Sequence, residues 1–428
     1  MNHLRYKIIV EGVVQGVGFR PFIYQLAQRF GLAGTVCNDT RGVTIEVEGR
    51  QTMLRRFVAA VSGEKPPLAA IQSVDVLTIP ARGDNGFRIH QSAVDKSRRA
   101  QVAADSYVCD DCLAELFDPA DRRYRYPFIN CTNCGPRYSI VTGIPYDRPL
   151  TTMADFLLCT DCQAEYDDPA SRRFHAQPNA CPSCGPQLQL VTPDGSTVGC
   201  ADPLAETVRR LKDRQIVAIK GLGGYHLAVD AADRNAVAEL RRRKQREERP
   251  FALMAKNLDA VAKLAAFGAD EARLLQGSER PIVLLRKRPG HGLAENIAPG
   301  NRDFGVMLPY TPLHHLLLVN FEALVMTSAN LSDEPIAFED DDARRRLASI
   351  ADAFLLHNRR IHTRTDDSIA RVMANRPLLL RRSRGFVPRG IALPAEESLV
   401  LAVGAELKNT ICLTRGDRAF LSQHVGDL

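Results

Sequence analysis

Eight of the eleven cysteines stand as four C-x-x-C pairs: Cys109/Cys112, Cys131/Cys134, Cys159/Cys162 and Cys181/Cys184. Two thiolates on one tight turn suit a soft tetrahedral metal ion, and C-x2-C-x18-C-x2-C falls within the spacing of structural zinc sites. Every cysteine of the first two pairs recurs 50 residues later, and Cys109–Pro136 laid over Cys159–Pro186 gives 14 identities in 28 positions, so the scaffold was copied with the ligands. Redox dithiols or disulfides are the rival reading, but a catalytic C-x-x-C needs no second matched pair at fixed spacing. Four thiolates fill a zinc shell and leave no position for substrate, so both metals are expected to be structural. Pairing within each repeat is the default, and crossed pairing between repeats stays open. His175, whose counterpart in the first repeat is Arg125, is expected to be structural and not a ligand.

A second chemistry is written into Gln15-Gly16-Val17-Gly18-Phe19-Arg20, followed by Pro21. Two glycines let successive backbone N–H groups converge, and proline at a first helical turn needs no donor of its own. The result is an anion nest at a helix N-terminus, with the Arg20 guanidinium beside it for a phosphate. A third group of polar residues lies further on: the basic run Arg241–Arg246, Lys220 before Gly221–Gly224, and Arg381–Arg384. Alone, each reads equally as a solvated helix end, a flexible loop or a surface strand.

These groups need elements to hold them. Residues 1–91 read as strand 6–14, helix 21–30, strands 35–38 and 43–48 around Gly42, helix 52–61 and strand 71–79, the β-α-β-β-α-β order of a ferredoxin-like fold. Residues 92–104, with Lys96, Arg98 and Arg99, read as a linker into a cysteine module at 105–190. The connector Arg137–Leu158, with Gly143, Pro145 and Pro149, is expected to pack across both metal sites. Residues 201–390 alternate as α/β: helices 203–213 and 234–244, the apolar run 216–219, and strands near 251–254, 282–285, 306–308, 324–327 and 354–356. A further strand is expected at 399–406. The fold class is a multidomain α+β and α/β protein.

Family resemblances then give these patterns a use. Gly12-x-Val14-Gln15-Gly16-Val17-x-Phe19-Arg20, with Gly34-x-Val36-x-Asn38 and Gly42-Val43, resembles acylphosphatase. The resemblance implies that Arg20 and the amides of Gln15 to Phe19 hold a phosphoryl group while Asn38 orients the attacking water. Arg41 departs from the Asp often found there, which bears on substrate preference. Lys244-x-Arg246, Pro250-Phe251-Ala252-Leu253, Leu308-Pro309-Tyr310-Thr311-Pro312 and Thr327-Ser328-Ala329-Asn330-Leu331-Ser332-x-Glu334-Pro335 together resemble the YrdC family. That implies ATP, with Mg, and an adenylate product. Lys244 and Arg246 would neutralise phosphate and carboxylate, Ser328 and Asn330 would supply hydrogen bonds, and Lys220 with its glycine loop would line the nucleotide pocket.

Residues 391–428 resemble the opening of an actin-like carbamoyltransferase domain, too short to fold as one. The order of parts resembles the HypF carbamoyltransferases of nickel-iron hydrogenase maturation. Membership would imply hydrolysis of carbamoyl phosphate, activation of carbamate with ATP, and transfer to the C-terminal cysteine of a partner, HypE, on the way to cyanide ligands. The sequence as given is expected to retain the first two reactions without the transfer, with the zinc block fixing the placement of its neighbours. Two alternatives are a threonylcarbamoyl adenylate synthase of tRNA modification and an RNA-binding zinc protein. A net charge of +6, 6% aromatics, no Trp and no basic-aromatic interleaving argue against nucleic acid. Apolar runs fall short of the ~18 residues of a membrane span, and reduced metal-bound cysteines suit the cytoplasm.

Overall fold

Alternation begins at once in β1 (His3–Val13), where Ile8 and Val10 are buried and Lys7, Ile9 and Glu11 are less so. A computed structural model describes residues 3–90, 92, 100–331, 334–405 and 409–425. Lys96, Arg98 and Arg99 of the linker, Ser332, Glu406–Lys408 and Gly426–Leu428 lie outside the described residues. The chain divides into two compact units, residues 1–103 with 129–185, and residues 104–128 with 186–428. The block at 105–190, expected as a module of its own, is therefore divided in the chain.

In the first unit, helices α1 (Phe19–Arg29) and α2 (Gln51–Gly63) each bury one stripe: Phe19, Ile23, Leu26 and Ala27 on α1, and Leu54, Phe57 and Val61 on α2. That spacing aims one face at a sheet. The sheet runs β4-β1-β3-β2-β5, from β2 (Ala33–Asn38), β3 (Gly42–Arg50), β4 (Ala70–Ile79) and β5 (Phe87–Ile89). Val36, Val43, Ile45 and Val47 join Ile8 and Val10 in its core, each worth roughly 1.5–3 kcal/mol of burial. The expected order of strands and helices is present. The short β5, parallel to β2, is added.

The finger repeats share one backbone. Each opens on a short helix, α3 (Asp110–Phe117) and α4 (Thr160–Asp167), with Cys109 and Cys159 as extended N-caps at φ −74° and −71°. Arg125 and His175 both sit at φ 55°, a left-handed conformation that L-residues adopt only when something holds them there. Their N–H groups donate to Leu116 O and Tyr166 O, at 2.8 and 3.0 Å.

The second unit is built on one large sheet. Its strands are β6 (Leu188–Val191), β7 (Val217–Lys220), β8 (Tyr225–Asp230), β9 (Ala252–Ala255), β10 (Ala265–Ala266), β11 (Ile282–Lys287), β12 (Asp303–Met307), β13 (Ala323–Ser328), β14 (Ala353–His357), β15 (Ile369–Met373) and β16 (Arg376–Arg381). They order as β16-β15-β11-β12-β9-β13-β8-β7-β14-β6, with β10 on β11. Helices α5 (Pro203–Lys212) and α6 (Arg234–Lys244) are N-capped by Asp202 and Asp233, whose carboxylates accept from the first-turn amides. Tyr225-His226, just past the Gly221–Gly224 loop, start β8, a strand the sequence left unassigned. Within Leu399–Glu406, expected as one strand, Leu401–Val403 is a strand and pairs with Ile411–Leu421. Among the described residues no helix is long and apolar enough to cross a membrane.

Candidate functional site

The loop from β1 into α1 has the shape its glycines suggested. Gly16 and Gly18 both take φ 73°, a left-handed conformation that costs glycine nothing, and Gly18 is the N-cap of α1. Val17 is buried in the core. Gln15 pins the loop: its amide donates to Asp39 O and Gly42 O, both at 2.7 Å, and its carbonyl accepts from Tyr146 N at 2.8 Å. Arg20, 7% exposed, donates to Asp147 Oδ1 at 2.9 Å. Asn38 ends β2 with its Oδ1 buried and, among the described residues, unpartnered. A pocket lies here, lined by Gly16, Gly18, Phe19, Arg20 and Asn38, and from the later stretch of chain by Thr132, Arg137, Tyr146, His175 and Gln177.

That second wall was missed in the sequence, and it adds to the role expected of Arg137–Leu158. The connector supplies Tyr146 and Asp147 to the Arg20 loop. Arg137 donates to Gly16 O and to the carbonyls of Pro136, Cys131 and Thr132, the latter at 2.7, 3.3 and 2.9 Å. Burial, with the Arg20 charge next, pushes the His175 imidazole down to about 4, so it is neutral at neutral pH.

The eight cysteines form two clusters, Cys109, Cys112, Cys131 and Cys134, and Cys159, Cys162, Cys181 and Cys184, with all ligand atoms of a cluster within 4.8 Å. Pairing is thus within each repeat. Zinc–sulfur bonds of about 2.3 Å place neighbouring sulfurs of a tetrahedron about 3.8 Å apart. The Sγ separations are 3.8 Å for Cys131/Cys134 and 3.7 Å for Cys159/Cys181 and Cys181/Cys184. The donor set fits a four-thiolate zinc site. His175 belongs to neither cluster.

In the second unit α6 delivers Lys244, 1% exposed. Its ammonium donates to Ser328 O and Asn330 Oδ1, both at 2.8 Å, and to Asn330 O. Ser328 Oγ donates to Asn330 Oδ1 at 3.0 Å, and the Asn330 amide to Glu334 O at 2.6 Å. Burial, then the nearby Arg246, pushes Lys244 down to about 7. Arg246 itself is lowered to about 10 by burial and by the charges of Arg249, Arg241 and Arg381. Four predicted residues, Lys244, Arg246, Ser328 and Asn330, are therefore gathered in one basic cluster, and Arg381 joins it.

Lys220 is placed otherwise. Its ammonium meets Asp340 at 2.6 Å and donates to His357 O at 2.9 Å, so its charge is already matched. The glycine loop after it is buried and closely packed: a Cβ on Gly223 would lie 1.9 Å from Thr365 Oγ1. Flexibility is excluded there by contact.

Comparison with known proteins agrees with these parts. Residues 6–89 match the acylphosphatase family, 108–141 and 158–191 the HypF finger, 209–383 the Sua5/YciO/YrdC family described as telomere recombination, and 395–428 the HypF Kae1-like domain. The chain is 52% identical to carbamoyltransferase HypF2 of Cupriavidus necator, over 99% of this chain and 55% of that protein. It is 50% identical to carbamoyltransferase HypF of Rhizobium leguminosarum bv. viciae, over 99% and 55%. The crystal structure of a full-length HypF in its phosphate- and nucleotide-bound form superposes with a TM-score of 0.96 at 46% identity, covering 100% of this chain and 56% of that one. The T. kodakarensis HypF structure gives 0.92 at 44%, over 99% and 55%. The chain thus spans a little over half the length of the curated relatives it matches. With the acylphosphatase loop, the two four-cysteine fingers and the Lys244 sheet domain in the same order, and identity sustained from end to end, the chain belongs to the HypF family.

Proposed function

We propose that this chain hydrolyses carbamoyl phosphate to carbamate and phosphate, and activates the carbamate with ATP to carbamoyl adenylate and pyrophosphate. The observation that carries the reading is the pairing of Arg20 and the Gly16–Gly18 nest with the buried, unpartnered Asn38 Oδ1 in one pocket. The loop amides and Arg20 bind the phosphoryl oxygens and stabilise the charge that spreads over them in the transition state. Asn38 Oδ1 accepts a hydrogen bond from water and aims its lone pair at phosphorus. The water oxygen bonds to phosphorus, the bridging P–O bond breaks, and its electron pair leaves on carbamate as the water proton passes to solvent.

Carbamate oxygen then attacks the α-phosphorus of ATP and pyrophosphate leaves. Lys244, protonated by the arrival of anions, and Arg246 offset the charge of two anionic reactants, while Ser328 and Asn330 hold Lys244 in place. Mg accompanies ATP as its counter-ion. Carbamate decomposes in water, a physical reason to couple the two steps. The phosphate- and nucleotide-bound state of the similar HypF structure supports both ligands. At the level of the whole protein, we take the acceptor of the carbamoyl group to be the C-terminal cysteine of HypE, and the setting to be the cytoplasm.

The test is AMP formation. The zinc-loaded chain with ATP and carbamoyl phosphate should release AMP and pyrophosphate, and Arg20→Ala should not. Absence of AMP from the unmodified chain, or AMP formation that follows threonine and bicarbonate in place of carbamoyl phosphate, overturns the reading.

A further inference from the structure

We propose that His175 is a specificity-determining residue of the acyl phosphate pocket, its imidazole accepting a hydrogen bond from the amino group of carbamoyl phosphate. The inference rests on the hydrolysis proposed above. With the phosphoryl group on the Gly16–Gly18 nest and Arg20, the other end of a small acyl phosphate must meet the rest of the pocket lining, which includes His175.

Three polar side chains of that lining are occupied. Arg137 spends its guanidinium on four carbonyls. Gln177 accepts from Arg148 N and Tyr166 Oη, at 2.8 and 3.0 Å, and donates to His175 O at 3.0 Å. The Thr132 hydroxyl donates to Arg172 O at 3.3 Å. The His175 imidazole lines the pocket and has no hydrogen bond to any described residue. Neutral imidazole carries one N–H and one acceptor nitrogen, and burial with the Arg20 charge keeps the ring neutral.

The ring is also held still. Phe174 and Tyr166 flank it with centroids at 4.7 and 5.0 Å, and its backbone is fixed at φ 55° by the N–H bond to Tyr166 O. The duplicated scaffold makes the placement legible. At the same left-handed corner the first repeat carries Arg125, 44% exposed and 3.7 Å from Asp202. One copy of the corner faces a surface carboxylate, and the other presents a neutral acceptor to a pocket whose proposed substrate ends in an amino group.

Acetyl phosphate is the matched probe, since it replaces that amino group with a methyl. His175→Asn keeps a residue that tolerates the left-handed backbone and withdraws the ring; His175→Gln extends an amide oxygen back towards its place. In the zinc-loaded chain, kcat/KM of His175→Asn for carbamoyl phosphate should fall about tenfold, the loss of one neutral hydrogen bond, mostly through KM. Acetyl phosphate turnover should stay within about twofold, and His175→Gln should recover part of the loss. Equal losses on both substrates in both variants, or no loss on carbamoyl phosphate, overturn the proposal alone. An unmodified chain that hydrolyses acetyl phosphate but not carbamoyl phosphate overturns the hydrolysis reading, and this inference with it.

Discussion

Arg20 and Lys244 are both nearly enclosed, at 7% and 1% exposed, and both are set to meet anions, yet their surroundings treat charge in opposite ways. Arg20 holds a carboxylate, Asp147, and a guanidinium never deprotonates in a protein. Lys244 is held by two carbonyls and an amide oxygen, all uncharged, so burial pushes its ammonium down to about 7. One pocket keeps a permanent charge and shares it with a carboxylate. The other has a charge that the ligand itself must call up, and this should make its binding pH-dependent where the first is not.

The largest test of that contrast is Arg20→Ala. Removing the permanent cation should lower phosphate release from carbamoyl phosphate by about a thousandfold, the scale of losing a main transition-state donor. Nucleotide affinity, measured by calorimetry, should not change. A loss below about tenfold would mean that the loop amides alone carry the anion and that Arg20 is no counterpart to Lys244.

Next in size is a metal test. The second cluster and the pocket wall of Thr132 to Gln177 belong to one stretch of chain, so the fingers are more than the spacers the sequence suggested. Cys159→Ser, which weakens that cluster, should reduce acetyl phosphate turnover about tenfold while nucleotide affinity holds. Structural zinc contributes on the order of 10 kcal/mol to small finger folds. Unchanged turnover after loss of one zinc per chain would show that the wall stands without its metal.

The Lys244 side is tested by pH. Between its folded value of about 7 and its ordinary 10.5, the unfolded chain binds the proton and the folded one does not. Stability from this group therefore rises with pH across that window and is lost as pH falls through about 7. Nucleotide binding as proposed runs the other way, because it would need the ammonium. ATP affinity should weaken above pH 7, by up to about tenfold per pH unit. Lys244→Arg should flatten the slope, and a flat profile in the unmodified chain would erase the distinction drawn from Arg20.

How much of this was legible follows from distance along the chain. Metal sites need ligands at close, fixed spacing, so the eight ligands could be read from C-x-x-C, while their pairing within each repeat, left open by the sequence, needed the clusters of the fold. The Gly16–Gly18 loop was legible because left-handed backbone selects glycine. Tyr146, Asp147 and His175 were not: the Arg20–Asp147 contact joins residues 127 apart, and nothing local marks a side chain that works only through a distant partner. Strand β8 was not assigned from the sequence: all but its last residue are buried, which removes the two-residue period by which strands are recognised. The pairing of Lys220 was hidden for a related reason. Asp340, which matches its charge, lies 120 positions away, so nothing local in the sequence marks the pair.

The smallest effect concerns the carboxylate that separates the two pockets in kind. Asp147 is 26% exposed, and its pair with Arg20 is partly open to solvent, so the pair is worth less than about 1 kcal/mol. Phosphate must compete with it for the guanidinium. Asp147→Asn keeps the shape and removes the competing charge, and phosphate should then inhibit about threefold more strongly, read as a lower competitive inhibition constant against acetyl phosphate. Arg20 would bind anions as an unshared cation, closer to Lys244 in its protonated form. Weaker phosphate inhibition in Asp147→Asn would reverse the assignment: the carboxylate would then aim the guanidinium at the nest, and the permanent charge of Arg20 would depend on Asp147 for its direction.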